Sequence, residues 1–151
     1  MQCEYRSARE GDVPALRELW KEAFGDGDRF LDQFFEGPFA PERSRVAVVE
    51  GAVSGALYWF PASCKGQSLA YLYGVATAAR LRGRGLCGGL MADTQAYLSA
   101  QGIDGMLLVP GSASLFRFYA RLGYAPCCPQ GRMKVQAAGP ALPLKPVSPR
   151  R

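Results

Sequence analysis

The chain contains no histidine, so no imidazole serves as a general base or a zinc ligand anywhere in it. Its five cysteines, at 3, 64, 87, 127 and 128, are odd in number and form no C-x-x-C or Cys/His spacing. They therefore indicate neither a disulfide framework nor a metal site, and they suit a reducing cytoplasm. No apolar run approaches the ~18 residues of a membrane span, and the first ten residues are polar, which argues against a secretion signal. No Gly-Lys-Ser or Gly-Lys-Thr follows the glycine-rich stretch, which excludes a Walker A loop. Internal repeats are missing as well. The expected setting is cytoplasmic, with no metal and no membrane partner.

What the chain does have is apolar bulk and positive charge. With 48% apolar residues over 151 positions, it can bury one sizeable core but not two. Eighteen Lys plus Arg against thirteen Asp plus Glu give a net charge of +5, which suits a polyanionic ligand and would equally suit RNA. One domain is expected over residues 1–138. From 139 to 151 the composition changes, with prolines at 140, 143, 146 and 149 and basic residues at the end. That tail reads as extended or disordered, a linker or a docking peptide of polyproline II geometry.

Alternation at Cys3 to Ala8 predicts a first strand, and Leu16, Leu19, Trp20 and Ala23 repeat at helical spacing behind a cap at Asp12. Phe30, Leu31, Phe34 and Phe35 form a second helical stripe that ends at Gly37-Pro38. Arg45 to Glu50 and Ala52 to Phe60 read as a hairpin, followed by a long strand from Ser68 to Thr77. A third helix runs to about residue 101 after the glycine turn, then a strand at Gly105 to Val109 and a fourth helix carrying Leu115, Phe118, Tyr119 and Leu122. Gly123 closes that helix, and Gly131 to Ala137 is a candidate last strand.

Residues 80 to 90, Arg-Leu-Arg-Gly-Arg-Gly-Leu-Cys-Gly-Gly-Leu, place a basic glycine turn between an apolar strand and a helix. Glycines at 83, 85 and 88 remove the Cβ atoms that would keep an anion from the backbone, and Arg80, Arg82 and Arg84 add positive charge. Gly83, Gly85 and Gly88 satisfy the G-x-G-x-x-G dinucleotide pattern. However, Ala78 to Arg82 separate them from the strand, and the next strand ends in Leu108-Val109-Pro110 without the ribose-binding acid.

Taken together, Val75-Ala76-Thr77, Arg80-x-x-Gly83-x-Gly85 and Phe118-Tyr119-Ala120-Arg121-Leu122-Gly123-Tyr124 resemble the GNAT superfamily of acyl-CoA-dependent N-acetyltransferases. The resemblance covers roughly residues 3 to 137. It implies an α/β fold with a mixed central sheet of about six or seven strands and about four flanking helices. It implies acetyl-CoA as co-substrate and an amine acceptor, either a small molecule or a protein amine, with homodimerisation left open. Val75, Ala76, Thr77, Arg80, Arg82, Gly83, Arg84, Gly85, Leu86, Cys87 and Gly88 would hold the coenzyme, joined by Ser112 where many relatives have an asparagine. Gly74 would permit a bulge that frees the Val75 N–H to polarise the thioester. Tyr119 corresponds to the tyrosine that faces the coenzyme sulfur, and a phenol of ordinary pKa ~10 suits protonation of a thiolate.

The general base is not legible. Leu69 stands where histone-modifying relatives place a glutamate, so a histone-type mechanism is not expected. Tyr71 and Tyr73 are candidates for a water relay, and Glu22, Asp28 and Glu36 for the cleft mouth. Asp26, Asp28, Asp32 and Glu36 would favour a cationic amine or simply cap and solvate helices. Phe30, Phe34, Phe35 and Trp59 either line an acceptor pocket or fill core. Two other functions fit the same residues: a non-catalytic acyl-CoA sensor on this fold, and an RNA-binding basic domain, which ranks last because the cations gather on the glycine turn.

Overall fold

A strand ends the sheet wherever nothing pairs beyond it, and β1 (Cys3–Ser7) holds that edge position. The structure, a computed structural model, describes residues 2–126. α1 (Val13–Phe24) follows, and Asp12 holds its N-cap position as expected. The Asp12 carboxylate does not cap the helix. It accepts both Arg6 Nη atoms at 2.7 and 3.0 Å and the Arg9 N–H at 2.7 Å, because a two-pronged charged pair outcompetes a single amide. The bond from Arg6 holds that carboxyl below the usual carboxylate range.

α2 (Asp28–Glu36) stops at Gly37, ahead of Pro38, which cannot continue the helix ladder. β2 (Ser44–Val49) and β3 (Ala52–Cys64) pair antiparallel around Glu50-Gly51, and β4 (Gln67–Thr77) returns antiparallel along β3. α3 (Leu86–Ala100) then crosses over so that β5 (Gly105–Leu107) runs parallel to β4. The sheet order is β1-β2-β3-β4-β5 and the sheet is mixed. Five strands stand among the described residues, rather than about six or seven. The difference has a simple source, since the expected strand at Gly131 to Ala137 lies outside those residues, as do Cys127, Cys128 and the proline-rich tail.

Helices cover both faces of the sheet. Leu16 and Trp20 of α1 and Leu31 and Phe34 of α2 pack on Val46 and Tyr58. On the opposite face, a Cβ at Gly55 would lie 3.4 Å from the Ala47 side chain and 3.7 Å from Leu90 of α3. All six residues of β2 are therefore buried. Arg45 is among them, and its guanidinium pairs with Asp93 of α3, donates to Ser7 Oγ at 3.1 Å and stacks 4.2 Å over the Tyr97 ring.

The chain divides into two compact units between Leu108 and Val109. The first holds the sheet with α1, α2 and α3. The second contains α4 (Ala113–Arg121).

Candidate active site

β4 outruns its parallel partner. Leu69, Ala70 and Tyr71 face Gly105, Met106 and Leu107, after which β5 ends and β4 continues from Leu72 to Thr77. Its pairing with β3 also slips: Ala56 faces Ala76 but Tyr58 faces Tyr73, so Leu57 opposes both Gly74 and Val75. This is the expected bulge. Gly74 has φ +62°, and a Cβ there would lie 2.6 and 2.8 Å from Trp20 Cζ3 and Cη2, so only glycine lets the strand pass under the indole. The ladder is therefore irregular at Gly74-Val75 on the β3 side, and β5 pairs with β4 only as far as Tyr71.

The turn that follows is braced from several directions. Ala78 N–H donates to the Ser54 carbonyl at 2.8 Å, and Ala79 N–H donates to Glu22 Oε2 at 3.1 Å. Arg80 reaches Ser54 Oγ at 3.2 Å, and Arg82 Nε folds back onto the Thr77 carbonyl at 3.1 Å. Arg84 is exposed and makes no hydrogen bond or ion pair among the described residues. Gly83 and Gly85 have φ +77° and +78°, and a Cβ at either would meet nothing within 4 Å, so the cradle opens outward.

The helical ladder of α3 begins with Gly89 N–H on the Gly85 carbonyl at 3.0 Å. The amides of Leu86, Cys87 and Gly88 thus have no intrahelical acceptor. No acidic side chain occupies the first turn. Hydrogen bonds to an anion, at about 1.5–3 kcal/mol each, outweigh the helix dipole at about 0.3–1 kcal/mol. For an anion placed here the amides would be the main grip and the dipole an addition. These residues fit the diphosphate of acetyl-CoA. Buried Leu86 anchors the turn. Burial pushes the Cys87 thiol up, against a hydrogen bond with Thr77 that lowers it, so Cys87 stays protonated and is no nucleophile.

On the α1/α2 face, an open cavity of about 240 Å³ lies among Phe30, Gln33, Phe34, Pro38, Phe60 and Tyr73. Tyr73 is two residues before Val75, about 6–7 Å along the strand. Sequence reasoning named Phe30 and Phe34 for this role but missed Gln33, Pro38 and Phe60. The signal available was period two, which puts Phe60 on the same face as Tyr58 and across from Tyr71. Phe35 packs against the core, and Trp59 is buried on the alternate face of β3. Trp20 backs the cavity with ring centroids 4.9 Å from Phe34 and 5.7 Å from Phe30 and Tyr73, and its indole N–H donates to Asp26 at 2.8 Å.

Most acids of this region are engaged elsewhere, but Glu36, the last residue of α2, is exposed and makes no hydrogen bond or ion pair among the described residues. Asp28 pairs with Lys21 at 2.7 Å and Arg17 at 3.5 Å, and Asp32 with Arg17 at 2.9 Å. The hydrogen bond from Lys21 holds exposed Asp28 below the usual carboxylate range. Glu22 serves the turn. Burial raises the Tyr71 phenol, which keeps it protonated at neutral pH and makes it a donor rather than a base. Among the described residues no cluster of His, Cys, Asp and Glu could hold a metal ion, and no helix is long and apolar enough to cross a membrane.

In the second unit, Ser112 sits at the N-cap of α4, exposed, with its hydroxyl 3.0 Å from Ser114 Oγ. Tyr119 is buried, with Phe118 and Tyr124 rings at 5.1 and 5.7 Å, and the Tyr124 N–H donates to its carbonyl at 3.1 Å. The helix therefore ends by folding Tyr124 back over Tyr119.

Known proteins echo this arrangement. The structure resembles a GCN5-related N-acetyltransferase from Anabaena variabilis (TM-score 0.69, 23% identity), covering 78% of this chain and 31% of that one. The chain thus spans about a third of that relative's length. A GNAT family acetyltransferase from Brucella melitensis in complex with acetyl-CoA matches with TM-score 0.62 and 22% identity, over 78% of this chain and 81% of its own. Glucosamine-6-phosphate N-acetyltransferase from Arabidopsis thaliana matches with TM-score 0.61 and 17% identity, over 87% and 97%. No curated protein sequence matches the chain. The model of the acetyltransferase (GNAT) domain, a family that takes acetyl-CoA as co-substrate, matches residues 4–127, most of the chain. This protein belongs to the GNAT acetyltransferase family.

Proposed function

We propose that the chain moves an acetyl group from acetyl-CoA to a primary amine by direct transfer. The observation that carries this reading is the run of bare amides at Leu86, Cys87 and Gly88, one turn away from the bulge at Gly74-Val75. Those amides, with Gly83, Gly85 and the cations of Arg80, Arg82 and Arg84, bind the diphosphate. The backbone of Val75, Ala76 and Thr77 flanks the pantetheine arm, and the Ser112 hydroxyl supplies part of the contact an asparagine would make.

When bound, acetyl-CoA supplies the activated thioester. The Val75 N–H donates to the carbonyl oxygen where negative charge develops, a contribution of about 3 kcal/mol where such donors have been removed in other enzymes. The neutral amine bonds to the carbonyl carbon, the carbon–sulfur bond breaks, and the Tyr119 hydroxyl gives its proton to the departing thiolate, while the proton that the acylated nitrogen loses goes to solvent, from which the tyrosinate is reprotonated. Support for Tyr119 comes from its place in the Phe118–Tyr124 motif and from its burial. Acetylation of a sugar amine by the Arabidopsis relative supports the reaction class, and the Anabaena relative's greater length leaves room for activities beyond this domain.

Replacing Tyr119 with Phe tests the reading. Thiol release should fall on the order of 10²-fold, while the Kd for acetyl-CoA, measured by calorimetry, stays within about twofold of the wild-type value. Coenzyme binding without acetylation of any amine by the wild-type chain would make it a sensor instead.

A further inference from the structure

We propose that the cavity on the α1/α2 face receives the body of the acceptor, and that the acceptor is a primary amine bearing one uncharged aromatic or branched aliphatic group. The proposal rests on the transferase reading above and adds its substrate class. The lining is four aromatic rings, Pro38 and one amide, Gln33, and it contains no ionised side chain. A cationic group entering it would lose its hydration without gaining a counter-charge, which is costly. Of the acids that would attract a polyamine, Asp28 and Asp32 are paired with Arg17 and Lys21, Asp26 and Glu22 accept from the Trp20 indole and the Ala79 N–H, and exposed Glu36 is not part of the lining.

Size points the same way. At about 240 Å³ the cavity falls below the roughly 300–1,000 Å³ of sites for drug-sized ligands. It suits a single ring or a branched chain, and because it is open most of a multi-ring aminoglycoside would stay outside it. Position completes the argument. Tyr73 forms one wall and lies two residues before Val75, so a body seated against Tyr73 leaves its amine one short linker from the bulge. The rings also offer edge and face contacts to an aromatic guest, because Phe60 and Tyr73 stand 5.9 Å apart and 56° from coplanar.

The test compares kcat/KM, by thiol release with acetyl-CoA, for phenethylamine, isopentylamine, spermidine and kanamycin. The two apolar amines should exceed the two polycations by roughly tenfold or more. Phe60 is only half-buried, so it can be changed without opening the core. Phe60→Glu should narrow or invert that ratio, and Phe60→Ala should raise KM for phenethylamine roughly tenfold with kcat nearly unchanged. Both variants should keep the wild-type Kd for acetyl-CoA. Equal or better turnover of spermidine or kanamycin overturns the substrate class and leaves the transferase intact. A preference for hexanoyl-CoA over acetyl-CoA that Phe60→Ala abolishes overturns it too, by giving the cavity to the acyl chain. Thiol release with no amine at all, from any of the acyl-CoAs, overturns the transferase reading and this inference with it.

Discussion

The glycine turn and the aromatic cavity lie on either side of one bulge, yet they present opposite kinds of surface. The turn offers backbone: bare amides at Leu86, Cys87 and Gly88, with glycines whose missing side chains open outward. The cavity offers side chains, with Phe30, Phe34, Phe60 and Tyr73 presenting ring surface and the main chain tied up in helix and strand. A backbone site takes any ligand with the right anion, whereas a side-chain site changes its ligand with each substitution.

The sharpest break comes where the two regions meet. Gly74→Ala would put a methyl carbon 2.6 Å from Trp20 Cζ3 and 3.0 Å from Tyr58 Cδ2, at a φ of +62°. Left-handed strain costs about 1–2 kcal/mol and overpacking about 1–3 kcal/mol. Neither indole nor phenol can swing aside, since Trp20 is ringed by Phe34, Tyr58 and Tyr73 within 5.7 Å. The variant should lose about 2–5 kcal/mol in urea denaturation, a large share of a domain's roughly 5–15 kcal/mol. A loss under about 1 kcal/mol would mean that the bulge is not pinned by the aromatic face.

The same contrast explains what could be read in the sequence. A close approach such as that of Trp20 to Gly74 admits only glycine, and φ near +77° favours it at 83 and 85, so these positions announce themselves. Among the described residues strands and helices were legible too, because period two and period 3.6 survive in the chain, and the strand expected at Gly131 to Ala137 lies outside them. A phenylalanine on an amphipathic stripe looks the same whether its ring meets another ring or a void. Phe30 and Phe34 border the cavity while Phe35, beside them, packs into core. The acids left two readings open for a related reason. Asp28 opens α2 and Asp32 lies one turn on, but their partners Arg17 and Lys21 sit on the helix before it, a pairing set by how α1 and α2 pack rather than by spacing.

Gly85→Ala separates the two regions in the other direction. A Cβ there meets nothing within 4 Å, so only the strain of φ +78° remains, about 1–2 kcal/mol. The methyl group would stand in the open cradle and displace the anion from at least one amide. At about 1.5–3 kcal/mol per such bond, the Kd for acetyl-CoA should rise roughly tenfold to a hundredfold. Calorimetry beside urea denaturation reads both effects on one sample. If binding held while stability fell as far as in Gly74→Ala, the turn would be scaffold and the diphosphate would sit elsewhere.

The smallest effect belongs to the residue that joins the two regions. Helix α1 sends Trp20 to the cavity wall and, two residues on, Glu22 to the Ala79 N–H at 3.1 Å, so one helix positions both. The bond is exposed, and water can replace the carboxylate when Glu22→Ala removes it. Stability should fall by about 0.5–1 kcal/mol. Binding should weaken by only about threefold, because Ser54 still holds Ala78 N–H at 2.8 Å and Arg80 at 3.2 Å. A tenfold or larger loss of acetyl-CoA affinity, measured by calorimetry, would show that the acceptor-side helix sets the shape of the donor site. In that case, substitutions lining the cavity should also change coenzyme binding, and the separation between backbone and side-chain recognition would fail.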